Sequence, residues 1–193
     1  MAGKTYKTQL GAIPKIVNNF KPKTSNQNTF YNIMGDVNTQ LILCHGIAGT
    51  GKTYVSIYKA LQDVLRRGTP YNKLIIINPT VDVGNEDKLG FLPGELSAKI
   101  QQYNESTFTI LDKIIGKDKA GKMIQDNKIE IGVLNFLRGT NLENCYVILD
   151  EAQNVSPMQM KTLMTRISEN CKMIVQGDMS QCDKYKTNGV TNY

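Results

Sequence analysis

The sequence has little of what marks several common classes of protein. It contains no tryptophan, one histidine (His45) and four cysteines, none of which forms a Cys-x-x-Cys pair. Three of the cysteines lie in or beside apolar runs, where cysteine behaves as a small hydrophobic residue. A zinc site or a disulfide framework is therefore not expected. His45 directly precedes a glycine-rich loop, so we interpret it as a strand-end residue and give it no catalytic role.

Long apolar runs are also missing. No run approaches the roughly 20 residues that a helix needs to cross a bilayer, so we expect no contact with a membrane. The lysines near the N-terminus are not followed by the apolar core of a secretory signal. The default prediction is a cytoplasmic protein, located in the host cytoplasm if the chain is phage-encoded.

The composition is typical of one globular domain with a basic surface. The 193 residues are 40% hydrophobic and 21% charged, with a formal net charge of +6. A basic surface favours polyanionic partners, although a solvated surface without a partner explains the charge equally well. Residues 1–23 are basic and polar and are interpreted as an arm, and residues 24–193 as a single domain.

Apolar runs alternate with helical patterns along that domain. Strands are predicted at residues 41–44, 74–77, 129–133, 146–149 and 173–175. Helices are predicted at residues 24–34, after residue 52, at 94–126 with a break near 116–119, and at 157–168. Such alternation predicts an α/β fold with three layers, α/β/α, around a mostly parallel sheet.

The most informative motif joins the first strand to the helix that follows it. A glycine, four residues and then Gly-Lys-Thr form the pattern of a phosphate-binding loop. Its predicted nucleotide-binding residues are Gly46, Ile47, Ala48, Gly49, Thr50, Gly51, Lys52 and Thr53. Glycines allow the backbone to turn tightly and point N–H groups inward, and the helix N-terminus adds partial positive charge. Lys52 would contact the β- and γ-phosphates, and the Thr53 hydroxyl would bind Mg²⁺.

Two carboxylates follow the strand at 146–149. Ligands of an open α/β sheet lie outside the carboxyl ends of its strands, so Asp150 is predicted to hold the magnesium ion with Thr53. Glu151 is predicted to orient or deprotonate an attacking water. The next strand ends in Gln176-Gly177-Asp178, and Asp178 and Gln181 are candidates for reporting the γ-phosphate. A plain turn at Gly177-Asp178 is an equally natural interpretation.

Together these motifs resemble the PhoH family. The matching blocks are the loop at 46–53, KLGFLPG at 88–94, LRG at 137–139, ILDEAQN at 148–154, PMQMK at 157–161 and GDMSQ at 177–181. They occur in order over residues 22–185, and the whole is similar to a phage-type PhoH-like protein. The resemblance implies a RecA-like P-loop ATPase, related to the cores of superfamily 1 helicases and linked to RNA metabolism. Some members of the family assemble as rings.

The resemblance also implies roles for three glutamines. Gln153 and Gln181 are similar to helicase glutamines that couple the γ-phosphate to nucleic-acid contacts, and Gln181 is counted with Lys52 and Glu151 as catalytic. Gln27 is similar to a glutamine that reads the adenine edge. For Gln27, a capping role with Thr24 at the start of the first helix is weighed about evenly with adenine binding.

The sequence departs from the family pattern in two places. Asn78 stands where members often carry an arginine, and the chain ends at Tyr193, where the family usually continues through a helix and strand that supply another arginine. Arg138 and Arg166 remain as candidate arginine fingers supplied in trans. A missing finger would leave slow hydrolysis, since such a residue raises turnover by roughly 10³–10⁵-fold.

Two functions of different class therefore stay open. The first is a Mg²⁺-dependent ATPase coupled to RNA or single-stranded nucleic acid, and the second is an ATP-gated binding or assembly module with little or no hydrolysis. A P-loop phosphotransferase is disfavoured, because such enzymes usually have an arginine-rich lid and none is recognisable in the sequence. Helicase and nuclease activity stay undecided, and strand separation by a single core would require a homo-oligomeric ring or a partner.

Overall fold

Strands and helices alternate along the chain in the computed structural model, which describes residues 16–79, 104–132 and 141–181. The strands are β1 (Leu41–His45), β2 (Lys73–Ile77), β3 (Ile129–Gly132), β4 (Cys145–Leu149) and β5 (Lys172–Gly177). The helices are α1 (Ser25–Gly35), α2 (Lys52–Leu65), α3 (Glu105–Ile115), α4 (Lys117–Gln125) and α5 (Pro157–Met164). Short 3₁₀ turns follow β4 at Ala152–Asn154 and β5 at Met179–Gln181.

The five strands form one parallel sheet in the order β1-β5-β4-β2-β3. Ile42 of β1 pairs with Ile174 of β5, and Val147 of β4 pairs with Met173 of β5. The strand β5 therefore lies between β1, which precedes the glycine-rich loop, and β4. The carboxyl ends of β1, β5 and β4 consequently meet at one edge of the sheet. The five predicted strands and their parallel arrangement are confirmed, and β1 and β3 are the outer strands of the described sheet.

Side chains alternate between two apolar cores, one on each face of the sheet. In β4, Tyr146 and Ile148 pack toward α1, α2, α3 and α4, while Val147 and Leu149 pack toward α5. All four are completely or almost completely buried. The fold is therefore the predicted three-layer α/β/α arrangement.

The helix boundaries follow from caps and turns. The Ser156 hydroxyl accepts a hydrogen bond from Gln159 N–H, and the Gln159 side chain accepts one from Ser156 N–H, which makes a reciprocal capping box at α5. That helix ends at Met164, four residues before the predicted end. The prediction was too long because Ile167 forms a β-bridge with Leu142, which takes the chain out of the helix.

The predicted long helix is two helices in its described part. Gly116 separates α3 from α4 with a φ of +84°, a conformation that side chains other than glycine rarely adopt. The predicted break is thus confirmed, and residues 94–103 of that prediction lie outside the described residues. Among the described residues, no helix is long and apolar enough to span a membrane.

A buried polar cluster ties the helices to the sheet at its amino edge. The Lys59 ammonium donates to Asp63 at 2.7 Å, and the Tyr146 hydroxyl donates to the other Asp63 oxygen at 2.6 Å. Lys172, only 1% exposed, donates to the backbone oxygens of Met34 and Asp36 at the end of α1. Burial lowers the pKa of Lys172 and raises that of Tyr146. The cluster holds the C-terminal end of α1 in place.

Part of the predicted N-terminal arm packs against the domain. Val17 N–H donates to Ile114 O at 2.9 Å, and the Phe20 ring lies 5.3 Å from the rings of both Tyr54 and Tyr58. Residues 16–23 therefore lie on α2 and α3, whereas residues 1–15 lie outside the described residues.

Two cysteines that are distant in sequence meet in the core. Cys145 and Cys171 are buried free thiols with their sulfurs 3.7 Å apart at the starts of β4 and β5. The hydrogen bond between the two thiols lowers the pKa of Cys171. Their contact comes from the β4–β5 register and not from sequence spacing.

Candidate functional site

The phosphate-binding motif forms a loop between β1 and α2 at the carboxyl edge of the sheet. Gly49 and Gly51 have φ values of +78° and +86°, which explains glycine at both positions. Thr50 closes the turn by donating its hydroxyl to Ile47 O at 2.8 Å. Gly46 N–H donates to Gly177 O at 3.2 Å, which fastens the loop to the end of β5.

The Lys52 side chain is folded over its own loop. Its ammonium donates to Gly46 O at 2.6 Å and to Ile47 O at 3.1 Å. Loop carbonyls are neutral acceptors, and a phosphate oxygen that carries negative charge makes a stronger charge-assisted hydrogen bond. A phosphate oxygen can therefore compete for this ammonium without breaking a salt bridge to any of the described residues.

Thr53 and Asp150 lie in direct contact although they are 97 residues apart. Thr53 Oγ1 donates to Asp150 Oδ2 at 2.8 Å. The carboxylate is held further by Glu151 N–H at 3.0 Å, and Asp150 N–H is bound to Ile77 O at 2.9 Å. The structure thus brings together the hydroxyl and the carboxylate that the sequence predicted as a metal pair.

Sequence reasoning missed Gln176 as a member of this group. Its Nε2 donates to Asp150 Oδ1 at 3.0 Å and to Thr53 Oγ1 at 3.2 Å, and the side chain is 1% exposed. The available signal was a polar residue that continues an apolar strand. Gln176 lies two residues after Ile174 and therefore on the same face of β5. The side chain of Ile174 faces α2, so the side chain of Gln176 is expected to point toward the start of that helix.

Glu151, Gln153 and Asp178 form a chain of hydrogen bonds. Gln153 Nε2 donates to Glu151 Oε2 at 2.6 Å, and Gln153 Oε1 accepts from Asp178 N–H at 3.1 Å. Gln153 is 1% exposed, and Glu151 has the uncommon φ of +50°. The predicted acid is therefore linked through Gln153 to the end of β5.

Asp178 continues this connection into the phosphate loop. Its Oδ2 accepts from Ala48 N–H at 2.9 Å, and its Oδ1 accepts from the Ser180 hydroxyl at 2.6 Å and from Ser180 N–H at 3.0 Å. The Ser180 hydroxyl, followed by the two backbone N–H groups and the Lys52 charge, lowers the pKa of Asp178. The turn at Gly177-Asp178 is thus also a fastening point for the loop.

Gln27 joins the start of α1 to the phosphate loop. Its Oε1 accepts from Lys23 N–H at 2.8 Å, and its Nε2 donates to Thr50 O at 3.0 Å. Its own N–H donates to Thr24 Oγ1 at 3.2 Å, so Thr24 is the N-cap of α1. The side chain of Gln27 bonds Lys23 and not the cap residue, so it does not complete a reciprocal capping box.

Two cavities flank Gln27. One of about 510 Å³ is lined by residues 23–27, by Phe30 and by part of the phosphate loop, including Gly46, Gly49, Thr50 and Lys52. The other, of about 450 Å³, is lined by residues 18–21, Lys23, Gly51 and Tyr54. Both volumes lie in the range of small-molecule sites.

Gln181 and Arg166 are the other predicted residues that fall within the described ranges. Gln181 is exposed on the 3₁₀ turn after β5, and its N–H donates to Asp178 O at 3.0 Å. Arg166 lies just after the end of α5, and its carbonyl accepts a hydrogen bond from Leu142 N–H. Leu142 precedes β4, so Arg166 lies near the amino end of that strand, whereas Asp150 follows its carboxyl end. Arg138, Tyr193 and the block at 88–94 lie outside the described residues.

The residues at the loop fit a magnesium ion. Thr53 and Asp150 supply a hydroxyl and a carboxylate, and Gln176 Oε1 is a buried acceptor with no hydrogen-bond donor among the described residues. Within the described part of the chain, no cluster of three His, Cys, Asp or Glu side chains could hold a metal. A sparse ligand set of this kind is typical of Mg²⁺ bound together with substrate phosphates.

Comparison with known proteins gives a consistent picture. A family model described as "PhoH-like protein" matches residues 19–193. A PhoH-like protein of Bacillus subtilis is 42% identical over 143 residues, which are 74% of this chain and 44% of that protein. Protein PhoH of Escherichia coli is 37% identical over 146 residues, covering 75% of this chain and 40% of that protein. The chain thus spans less than half the length of these curated relatives.

A solved structure shares the fold. The Sulfolobus solfataricus SWI2/SNF2 ATPase core in complex with dsDNA matches 88% of this chain and 34% of that one, with a TM-score of 0.51 and 19% identity. At this level of identity the match shows similarity of fold to an ATPase core.

Proposed function

The chain belongs to the PhoH family, and on that premise we propose that it binds ATP and hydrolyses it with Mg²⁺, coupled to RNA or single-stranded nucleic acid. The observation that carries the proposal is the 2.8 Å contact between Thr53 Oγ1 and Asp150 Oδ2. This contact joins the phosphate loop to the carboxyl end of a neighbouring strand. A loop and carboxylate in this arrangement suit a metal-bound triphosphate.

Each residue has a role that follows from its chemistry. The N–H groups of the loop and the start of α2 would bind the phosphate oxygens, and Lys52 would leave its carbonyl acceptors for the β- and γ-phosphates. Thr53 and Asp150 would hold Mg²⁺, which supplies positive charge to the phosphates during transfer. Glu151 would orient the attacking water and accept its proton. Gln27 would read the adenine edge from the cavity beside the loop.

The test is a phosphate-release assay with MgATP, with and without single-stranded RNA. Lys52→Ala should lower kcat/KM by about 10²–10³-fold, since it removes a preorganised charge from the transferring phosphoryl group. Glu151→Gln should lower kcat by about 10²–10⁴-fold with little effect on nucleotide binding. Lys119→Ala, an exposed lysine of α4, is the matched control. Unchanged turnover in Lys52→Ala would contradict the proposal.

The second candidate is a nucleotide-gated module that does not hydrolyse ATP appreciably. The observation that favours it is the 2.6 Å hydrogen bond from Gln153 to Glu151, which occupies an oxygen of the proposed general base. Single-turnover hydrolysis with and without RNA distinguishes the two functions. Nucleotide binding without product formation under both conditions would support the gated module and contradict the ATPase.

Binding of nucleic acid is supported by charge and by analogy of fold. The net charge of +6 favours a polyanion. The SWI2/SNF2 ATPase core with a similar fold was solved with double-stranded DNA. The preference of this chain for RNA or single-stranded DNA is read out by anisotropy with labelled strands of each kind.

A further inference from the structure

Gln176 occupies a position that the proposed phosphate chemistry does not explain. Its amide lies between Thr53 and Asp150, and Nε2 donates to both side chains. The residue comes from β5, whereas the other two come from α2 and from the end of β4. Three separate elements therefore converge on one point below the phosphate loop.

The oxygen of the same amide accepts no hydrogen bond from the described residues. Gln176 Oε1 is buried and has no hydrogen-bond donor among the described residues. Leaving a buried polar atom without a partner is costly, and such an atom calls for a specific explanation. An apolar side chain would fill this strand position without that cost, as Ile174 does two residues earlier.

The spacing of the three groups is compatible with the coordination shell of a small divalent cation. The Thr53 hydroxyl lies 2.8 Å from Asp150 Oδ2, and the Gln176 amide nitrogen lies 3.2 Å from that hydroxyl and 3.0 Å from Asp150 Oδ1. Adjacent oxygens of an octahedron with bonds of 2.0–2.1 Å are about 2.9 Å apart. A half-turn of the amide about Cγ–Cδ would put Oε1 where Nε2 now lies.

The electrostatics make that half-turn dependent on a cation. Without a cation, an amide oxygen 3.0 Å from Asp150 Oδ1 would set two acceptors against each other, so the nitrogen faces the carboxylate. A divalent ion near Thr53 and Asp150 reverses the preference, because it attracts the oxygen end of the amide dipole. Amide oxygens are ordinary ligands of hard cations, either directly or through a bound water.

We infer that Gln176 is a third protein group of the cation site, turning its amide so that Oε1 faces the coordination shell of the ion. The inference rests on the proposed function, because the ion arrives with the nucleotide. It assigns Gln176 as a positioning residue that sets how tightly the metal–nucleotide complex is held.

The test measures metal affinity and not turnover. Wild type and variants are saturated with ADP and titrated with Mn²⁺, and free Mn²⁺ is followed by its EPR signal. Gln176→Met keeps the size of the side chain but removes both polar atoms, and should weaken Mn²⁺ binding about 10–100-fold. Gln176→Glu places a carboxylate at the same point and should tighten it. Gln125→Met, at an exposed glutamine of α4, is the matched control.

A second readout separates metal binding from a structural tie. If Gln176 only fastens β5 to α2, Gln176→Met would lower the melting temperature of the metal-free protein and leave the Mn²⁺ dissociation constant unchanged. That result would overturn the inference, as would Gln176→Glu binding Mn²⁺ more weakly than wild type.

The proposed function can fail separately. If the wild-type protein bound no nucleotide in the presence of Mn²⁺, the nucleotide site itself would be wrong. If it bound nucleotide and Mn²⁺ with an affinity that all Gln176 variants share, only the role of Gln176 would be wrong.

Discussion

Among the described glycines, Gly177 has the least room for a side chain. An added Cβ would lie 2.3 Å from Gln153 Oε1 and 3.2 Å from Ala152 N. The Gln153 side chain would have to leave Asp178 N–H, which would break the connection from Glu151 to β5. The hydrogen bonds that connect Glu151 through Gln153 to Asp178 therefore require a residue without a side chain at position 177.

We predict that Gly177→Ala destabilises the protein by about 1–3 kcal/mol through overpacking, and lowers turnover. Chemical denaturation measures the first effect and phosphate release the second. Gly121→Ala is the matched control, because an added Cβ in α4 meets nothing within 4 Å. It should stabilise the helix by about 0.5–1 kcal/mol. Equal stability of the Gly177→Ala protein and wild type would contradict the prediction.

Asp178 gives a pH dependence with a definite sign. Its pKa is lowered in the folded protein, first by the Ser180 hydroxyl and then by backbone N–H groups. A carboxyl with a lowered folded pKa contributes stability above its ordinary pKa, and that contribution is lost as the pH falls through the folded value. The stabilisation should therefore be complete at neutral pH.

We predict that Asp178→Asn melts at a lower temperature than wild type at pH 7, and that the difference shrinks below about pH 4. Thermal unfolding between pH 7 and pH 3 measures it. Asp118→Asn, at an exposed position of α4, should follow wild type throughout. A difference for Asp178→Asn that stays constant down to pH 3 would show that the charge of Asp178 is not its cause.

At the scale of elements, α1 is held at both ends. Its C-terminal end is bound by Lys172, which donates to Met34 O at 2.8 Å. Its N-terminal end is capped by Thr24 and reaches the phosphate loop through Gln27. The helix thus fixes the position of Gln27 relative to the phosphate loop, and both line the larger cavity.

We predict that loss of the Thr24 cap affects nucleotide binding as well as stability. Thr24→Ala should cost about 0.5–2 kcal/mol and weaken binding of a fluorescent ATP analogue, because Gln27 N–H loses its acceptor. Ser156→Ala removes the equivalent cap from α5 on the other face of the sheet, and should cost stability without weakening binding. Equal binding by both variants would separate α1 from the nucleotide site.

At the scale of the whole molecule, the net positive charge is expected to determine how the affinity for nucleic acid depends on salt. The chain has 23 Lys and Arg residues against 17 Asp and Glu residues. Contacts to phosphates release counterions, so affinity should fall linearly on a log–log plot against salt, with a slope of about −0.7 per phosphate neutralised.

We predict that binding of a mixed-sequence RNA weakens steeply as the salt concentration rises from about 50 to about 200 mM. Fluorescence anisotropy measures it, and an oligonucleotide of the same sequence with an uncharged backbone is the control. A flat salt response for the charged RNA would contradict an electrostatic interface. Mass measurement of the same samples, with and without ATP, tests assembly into a ring.

Much of this architecture was predictable from local patterns. Most strands were recognisable because they are short apolar runs bounded by polar residues, and β3 because apolar and polar residues alternate along it. The phosphate loop was recognisable because its glycines, lysine and threonine have a fixed spacing. The end of α5 was not predictable, because it depends on the bridge between Ile167 and the distant Leu142. The contacts of Gln176 with Thr53 and Asp150 were not predicted, because the residues at that strand end favoured Asp178 and Gln181 as site residues.

The sequence by itself determined the fold class, the loop and some of the groups beside it, such as Asp150 and Asp178, since these depend on periodicity and on spacing along the chain. Tertiary structure alone decided which groups touch. The order β1-β5-β4 brings Gln176 to Thr53 and Asp150, and brings Asp178 to Ala48. Strand order arises from how the apolar faces of the sheet and helices are buried together, and no local pattern in the chain encodes it.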